Sequence, residues 1–196
     1  MDDRCYMEQA LALAKEAAEE GEVPVGCVIV RQGQIVGRGR NRRETDKTAL
    51  GHAELEAISD ACKNLGGWRL WDCTLYVTLE PCPMCAGAII NARIPRVVYG
   101  AADRKAGSCG SVCDLFSMEY NHHPQVVCGV CQEEAAALLS DFFQRLRLTL
   151  KTRPKWRPKQ SLQEEIHEME SAKGGTGSAC PDCGANAVQL HPGEHP

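Results

Sequence analysis

The sequence predicts an α/β fold: a central sheet covered on both faces by helices. Two observations carry this. Short branched or apolar runs of strand length alternate with longer segments whose apolar residues recur at helical spacing. The order along the chain is α-β-β-α-β-α-β-β-α, and strands alternating with helices need cover on both faces. The 196 residues suffice for one domain of about 150 residues plus an extension, and no internal repeat is visible.

Ala10 to Glu20 is rich in alanine and leucine, with Ala10, Leu11, Ala14, Ala17 and Ala18 at helical spacing. Gly21 fits its end. Val25 to Val30 is a branched apolar run and reads as a buried strand. Arg31-Gln32-Gly33-Gln34 is a turn, and Ile35 to Gly39 returns as the second arm of a hairpin. Arg40 to Leu50 is polar and irregular. Gly51 to Leu65 is a helix carrying Leu55, Ile58, Ala61 and Cys62 on its apolar side. Thr74 to Thr78 is a strand, and Pro83 to Asn91 a helix with proline suited to its first position. Arg96 to Tyr99 and Val126 to Cys128 are strands. Gln132 to about Arg147 is a long helix, with Ala135, Leu138, Leu139, Phe142 and Leu146 on one side. Trp68 and Trp71 read as core or interface residues.

One domain is expected over 1–150, followed by a tail over 151–196. Prolines 154 and 158 stop helix, and 171–178 has the composition of a flexible linker. The formal net charge is −4, so there is no global basic field. Between Phe142 and Gln163, however, there are seven basic residues and no acidic one. That places a basic stripe at the end of the domain and the start of the tail. The N-terminus lacks the charge and apolar pattern of a signal peptide, and no run is long enough to span a bilayer. A cytoplasmic protein is expected. Twelve cysteines then read as thiols rather than a disulfide scaffold. Cys5, Cys27, Cys62 and Cys73 lie in apolar patterns, where a thiol acts as a small hydrophobe.

The chemistry is concentrated in two segments, His52-Ala53-Glu54 and Pro81-Cys82-Pro83-Met84-Cys85. One imidazole and two thiolates make three zinc ligands. Structural zinc sites use four protein ligands, whereas catalytic sites use three and leave a position for water. Cys82 and Cys85 stand at i and i+3, which puts both sulfurs on one side of a helix start. A helix N-terminus also favours the thiolate that zinc requires. Glu54 has no ligand role to fill and is free to move protons. The competing reading is a structural site completed by a fourth ligand, for example Cys109 or Cys113.

The match extends beyond the ligands. Glu22-Val23-Pro24-Val25-Gly26, the run from Leu75 to Cys82, Met84-Cys85-Ala86-Gly87-Ala88, Arg96-Val97-Val98-Tyr99-Gly100 and Asp141-Phe142-Phe143 resemble the bacterial tRNA-specific adenosine deaminase family. The resemblance runs from about Met7 to Leu150. It implies a three-layer α-β-α cytidine deaminase-like fold around a mixed five-stranded sheet. It implies one catalytic zinc per subunit on His52, Cys82 and Cys85, with Glu54 as proton shuttle. It also implies adenosine-to-inosine conversion at the wobble position of a tRNA anticodon, in a homodimer. By the same resemblance Asn41 binds the flipped base; as a residue it is otherwise a turn former. Asp103 matches a ribose-contacting aspartate, against the reading of a solvated loop acid. Asn121 and His122 match a pair near the substrate loop, against a structural role. By the same resemblance Phe143, Arg145 and Arg147 lie on a helix that in the family runs beside the RNA, where stacking and phosphate attraction operate, against the reading that Phe142 and Phe143 pack the helix on the sheet.

Three features depart from the family pattern. Ala49-Leu50-Gly51 stands where the family more often has Thr-Ala before the histidine, and glycine loosens a helix start. Cys128-Gly129-Val130-Cys131 is a second Cys-x-x-Cys without a matching pair. Cys180-Pro181-Asp182-Cys183, with His191 and His195, is a candidate single zinc knuckle over 180–195, against a tail with no metal. In the tail, Trp156 reads either as a base-stacking residue or as an anchor. The alternative function is deamination of a free nucleobase or nucleoside, such as guanine or cytosine. A second alternative, a non-catalytic zinc RNA-binding module, has no use for Glu54.

Overall fold

The computed structural model describes residues 2–152. Eleven elements follow one another among them: α1 (Asp3–Glu19), β1 (Gly26–Arg31), β2 (Gln34–Arg40), α2 (Arg43–Asp46), α3 (Ala53–Leu65), β3 (Cys73–Leu79), α4 (Pro83–Ala92), β4 (Arg96–Ala101), a 3-10 turn (Leu115–Ser117), β5 (Gln125–Cys128) and α5 (Gln132–Thr152). The tail with its candidate knuckle and Trp156 lies outside the described residues.

The five strands form one sheet in the order β2-β1-β3-β4-β5. β1 is antiparallel to both β2 and β3, while β3, β4 and β5 are parallel, so the sheet is mixed. Gln32 and Gly33 close the β1–β2 hairpin with φ of 50° and 79°. Both central residues at positive φ match the twist of the flanking strands. Side chains on each buried strand alternate between two apolar clusters. Cys27, Ile29, Leu75, Val77, Val97 and Tyr99 face α3 and α4. Val28, Val30, Tyr76 and Val98 face α1 and α5. The expected three layers are present.

Several boundaries differ from expectation for local reasons. α1 begins at Asp3 rather than Ala10, because Tyr6 and Met7 extend the buried stripe of Ala10, Leu11, Ala14 and Ala17. α2 is a short helix within the stretch that the sequence left irregular. α5 runs on to Thr152. Trp68 and Trp71 are not core: they are 52% and 57% exposed, and the Arg69 guanidinium covers one face of Trp68. Cys5 is exposed rather than packed, while Cys27 and Cys73 are buried.

α3 lies unusually close to β2. A Cβ on Gly39 would stand 2.2 Å from the Ala53 carbonyl oxygen, and one on Gly37 would stand 2.4 Å from that of Ala57. Only glycine permits that approach. It fixes the first turn of α3, and with it His52 and Glu54, over the end of the hairpin. The end of β2, the start of β1 and the C-terminal ends of β3 and β4 share one edge of the molecule. Outside the carboxyl ends of parallel strands is where an open α/β sheet leaves room for a ligand.

Candidate active site

His52 is the extended N-cap residue of α3, which starts at Ala53 rather than Gly51. Gly51 is held rather than loose. Its carbonyl accepts from the Arg42 amide at 2.8 Å, and an added Cβ would meet the Arg42–Arg43 backbone at 3.0 Å. Cys82 is the N-cap of α4, with Pro83 in its first turn and Cys85 buried three residues on. The two helix starts converge. His52 Nδ1 stands 3.5 Å from Cys85 Sγ and 3.7 Å from Cys82 Sγ. All three donor atoms lie within 4.8 Å of one another.

That spacing tests the fit of zinc. Bonds of about 2.1 Å to nitrogen and about 2.3 Å to sulfur at tetrahedral angles give a nitrogen–sulfur edge of about 3.6 Å. The donor set and its edges therefore suit the metal. Among the described residues the cluster contains only these three, so Cys109 and Cys113 do not complete a four-ligand structural set.

The electrostatics favour a cation. Hydrogen bonding from Cys85, with His52 adding to it, holds the Cys82 thiol down at about 4. Donation to Cys82, and then burial, pushes Cys85 up. Contact with Cys82 raises His52. Glu54 is only 4% exposed, and burial lifts its carboxyl to about 6. A carboxyl near neutrality can both take and give a proton.

His52, Glu54 and Cys82 line a cleft of about 570 Å³, with Cys85 buried behind them. Val23, Val25 and Leu79 supply apolar wall, and Leu139 and Phe143 of α5 reach its rim. Arg43, Arg104 and Lys105 line it with positive charge, which the sequence reading did not single out.

Of the other expected site residues, Asn41 and Asp103 line the cleft with Phe143. The Asp103 carboxylate accepts from the amides of Lys105 and Ala106 at 2.9 and 3.3 Å, so it also shapes its own turn. Asn121 and His122 are not among the lining residues. Arg93 donates to Asn121 Oδ1 at 2.6 Å, and His122 Nε2 lies 2.7 Å from the Ile94 carbonyl, which can only accept. Arg145 and Arg147 are exposed on α5 and do not line the cleft.

Two buried carboxylates went unremarked as individual residues. Glu22, 1% exposed, accepts from Asn41 Nδ2 at 3.2 Å and from the amides of Glu44 and Thr45 at 3.2 and 2.6 Å. Glu80, 2% exposed, accepts from the amides of Asp103, Cys109 and Ser111 and from the Ser111 hydroxyl. Burial alone would raise both carboxyls. The converging donors outweigh it and hold both below the ordinary range. Each carboxylate ties down one of the two loops that flank the cleft. An acid directly after or before an apolar run was the available signal.

A model of the MafB19-like deaminases matches residues 1–147, which sets the class: a deaminase. The tRNA-specific adenosine deaminase of Bacillus subtilis (strain 168) is 51% identical over 146 residues, covering 74% of this chain and 91% of that protein. A solved structure from work on A-to-I editing by tRNA:A34 deaminases at the wobble position is 45% identical, with a TM-score of 0.66. It covers 68% of this chain and 98% of that one. The guanine deaminase of Bacillus subtilis is more distant, at 33% identity and a TM-score of 0.52 over 80% of this chain and 98% of that one. The chain belongs to the tRNA-specific adenosine deaminase family.

Proposed function

We propose that this protein converts adenosine to inosine at the wobble position of a tRNA anticodon, releasing ammonia. The observation that carries the chemistry is the buried Glu54 beside a three-donor cluster that opens to the cleft through His52 and Cys82. The substrate follows from the 51% identity to a tRNA-specific adenosine deaminase across nearly all of that relative. His52, Cys82 and Cys85 would hold one zinc ion. When bound, zinc supplies a Lewis acid that lowers the pKa of a coordinated water toward about 7.

The residues of the chain do the rest. Glu54 accepts a proton from the attacking water and delivers it to N1 of the adenine ring. The water oxygen adds at C6. Glu54 then takes the remaining proton from the new C6 hydroxyl and gives it to the amine; the C6–N6 bond breaks, ammonia leaves and a carbonyl remains. Asn41 holds the extruded base in the cleft. The apolar wall from Val23, Val25 and Leu79 excludes bulk water from its faces. Arg43, Arg104 and Lys105 attract the phosphates on either side of the target nucleotide. Phe143 offers a ring for a neighbouring base.

The catalytic domain is 1–150 in this reading, and the protein works in the cytoplasm as a homodimer. Among the described residues no helix is long and apolar enough to cross a membrane. The basic stretch of sequence between Arg145 and Lys159 would add to RNA attraction. The competing reading is a free-base deaminase, which the likeness to guanine deaminase keeps in view. Ammonia release from an anticodon stem-loop, compared with release from free adenine, guanine and cytosine, separates them. Turnover of the stem-loop alone supports the tRNA reading. Turnover of a free base alone rejects it.

A further inference from the structure

The Asn41 amide is held from behind. The residue is 5% exposed and lines the cleft, and its Nδ2 donates to Glu22 Oε2 at 3.2 Å. The other groups that donate to Glu22 all come from the α2 segment: the amides of Glu44 and Thr45 and the Thr45 hydroxyl. An ionised carboxylate only accepts, so only the nitrogen end of the asparagine amide can face it. The oxygen end is then directed away. No hydrogen bond to Asn41 Oδ1 is found among the described residues, yet no buried side-chain polar atom there lacks a partner. Asn41 Oδ1 is therefore open to the cleft.

We infer that Glu22 is a positioning residue that locks the Asn41 amide in one of its two flips, and thereby fixes the order of donor and acceptor offered to the base. The inference rests on the reading of Asn41 as the base-binding residue. With the lock set, the cleft presents an acceptor, Oδ1, next to the second N–H of Nδ2. That order complements an amine donor beside a ring-nitrogen acceptor, the N6–N7 edge of adenine. A base with a carbonyl in place of the amine would set two acceptors face to face. The lock also couples base reading to the loop of α2, because the same carboxylate holds the Glu44 and Thr45 amides and so the position of Arg43.

Glu22→Gln tests this, because glutamine keeps the shape but offers one acceptor and one donor. The measurement is kcat/KM for adenosine in an anticodon stem-loop, for wild type, E22Q, N41A and the double variant. E22Q alone should lose about tenfold, within the coupling expected of residues in one hydrogen-bond network. In the N41A background the same change should cost less than about twofold, the ordinary error of additivity. Losses that multiply would overturn the inference, since Glu22 would then act through the loop alone. A second measurement needs neither turnover nor the Glu22 variant. In wild-type protein the side-chain amide of Asn41, assigned by its disappearance in N41A, should show one N–H proton protected from solvent exchange. Exchange at the rate of exposed asparagines would overturn the lock. If wild type fails to deaminate the stem-loop, the proposed function fails, and the exchange measurement still decides the lock.

Discussion

His52 Nδ1 and Cys85 Sγ stand 3.5 Å apart, although thirty-three residues separate them. Two helix starts bring them there: α3, pressed against β2 through Gly37 and Gly39, and α4, launched from the end of β3 by Pro83. The site depends on how those helices are seated as much as on the three donor side chains.

Cys85→Ser should remove the metal. Serine is a poor substitute for a thiolate ligand, and Cys85 is fully buried at the centre of the cluster. Elemental analysis of purified protein should give one zinc per chain fewer than wild type. An unchanged zinc content would mean that the ion sits elsewhere.

Gly39→Ala should act on the site from the far side of α3. The new Cβ would meet the Ala53 carbonyl at 2.2 Å and the Ala57 amide at 2.5 Å, both backbone atoms that yield only if the helix lifts. Such overpacking costs about 1–3 kcal/mol, which lowers Tm by about 2–12 °C in a chain of this size. Gly87→Ala is the contrast, because nothing lies within 4 Å of its Cβ and alanine favours the middle of α4. Thermal unfolding should show a loss for the first and no loss for the second.

Lys105→Ala should weaken the response to salt. If this cation meets an RNA phosphate at the cleft, a plot of log kcat/KM against log salt becomes shallower by about 0.7–1. An unchanged slope would place Lys105 away from the RNA.

Asp3→Asn probes acid stability far from the cleft. Asp3 accepts from both Arg96 terminal nitrogens at 2.8 and 2.7 Å and from Tyr76 at 2.9 Å. The hydrogen bonds from Arg96 hold its carboxyl below the ordinary range. A depressed carboxyl stabilises the fold fully above its unfolded value, about 3.9, and loses that contribution as pH falls through its folded value. The variant should lose about 1–2 kcal/mol at pH 7, and its Tm should converge on that of wild type below about pH 4. A gap that stays constant from pH 7 to 3 would contradict this.

The sequence made the cluster of His52, Cys82 and Cys85, and Glu54 beside it, legible because each motif is local and opens a helix. The strands were legible because apolar runs of that length fit a covered sheet. What it hid is long-range. Glu22 holds Asn41 and α2 across about twenty residues, and Glu80 gathers donors from 103 to 111. No spacing rule marks a carboxylate whose partners are distant backbone amides. α2 escaped notice for the same reason, since four polar residues make a helix here only with Glu22 beneath their amides. Asp103 is the mixed case: it lines the cleft, but its carboxylate also closes its own turn.

The decisive experiment incubates wild-type protein and Glu54→Ala with a panel of tRNAs and reads inosine at the first anticodon position. Wild type should form inosine, and the variant should lose at least about a hundredfold in rate while keeping its zinc. Ordinary activity in the variant, or no inosine in any tRNA while a free base is deaminated, would contradict the proposed function.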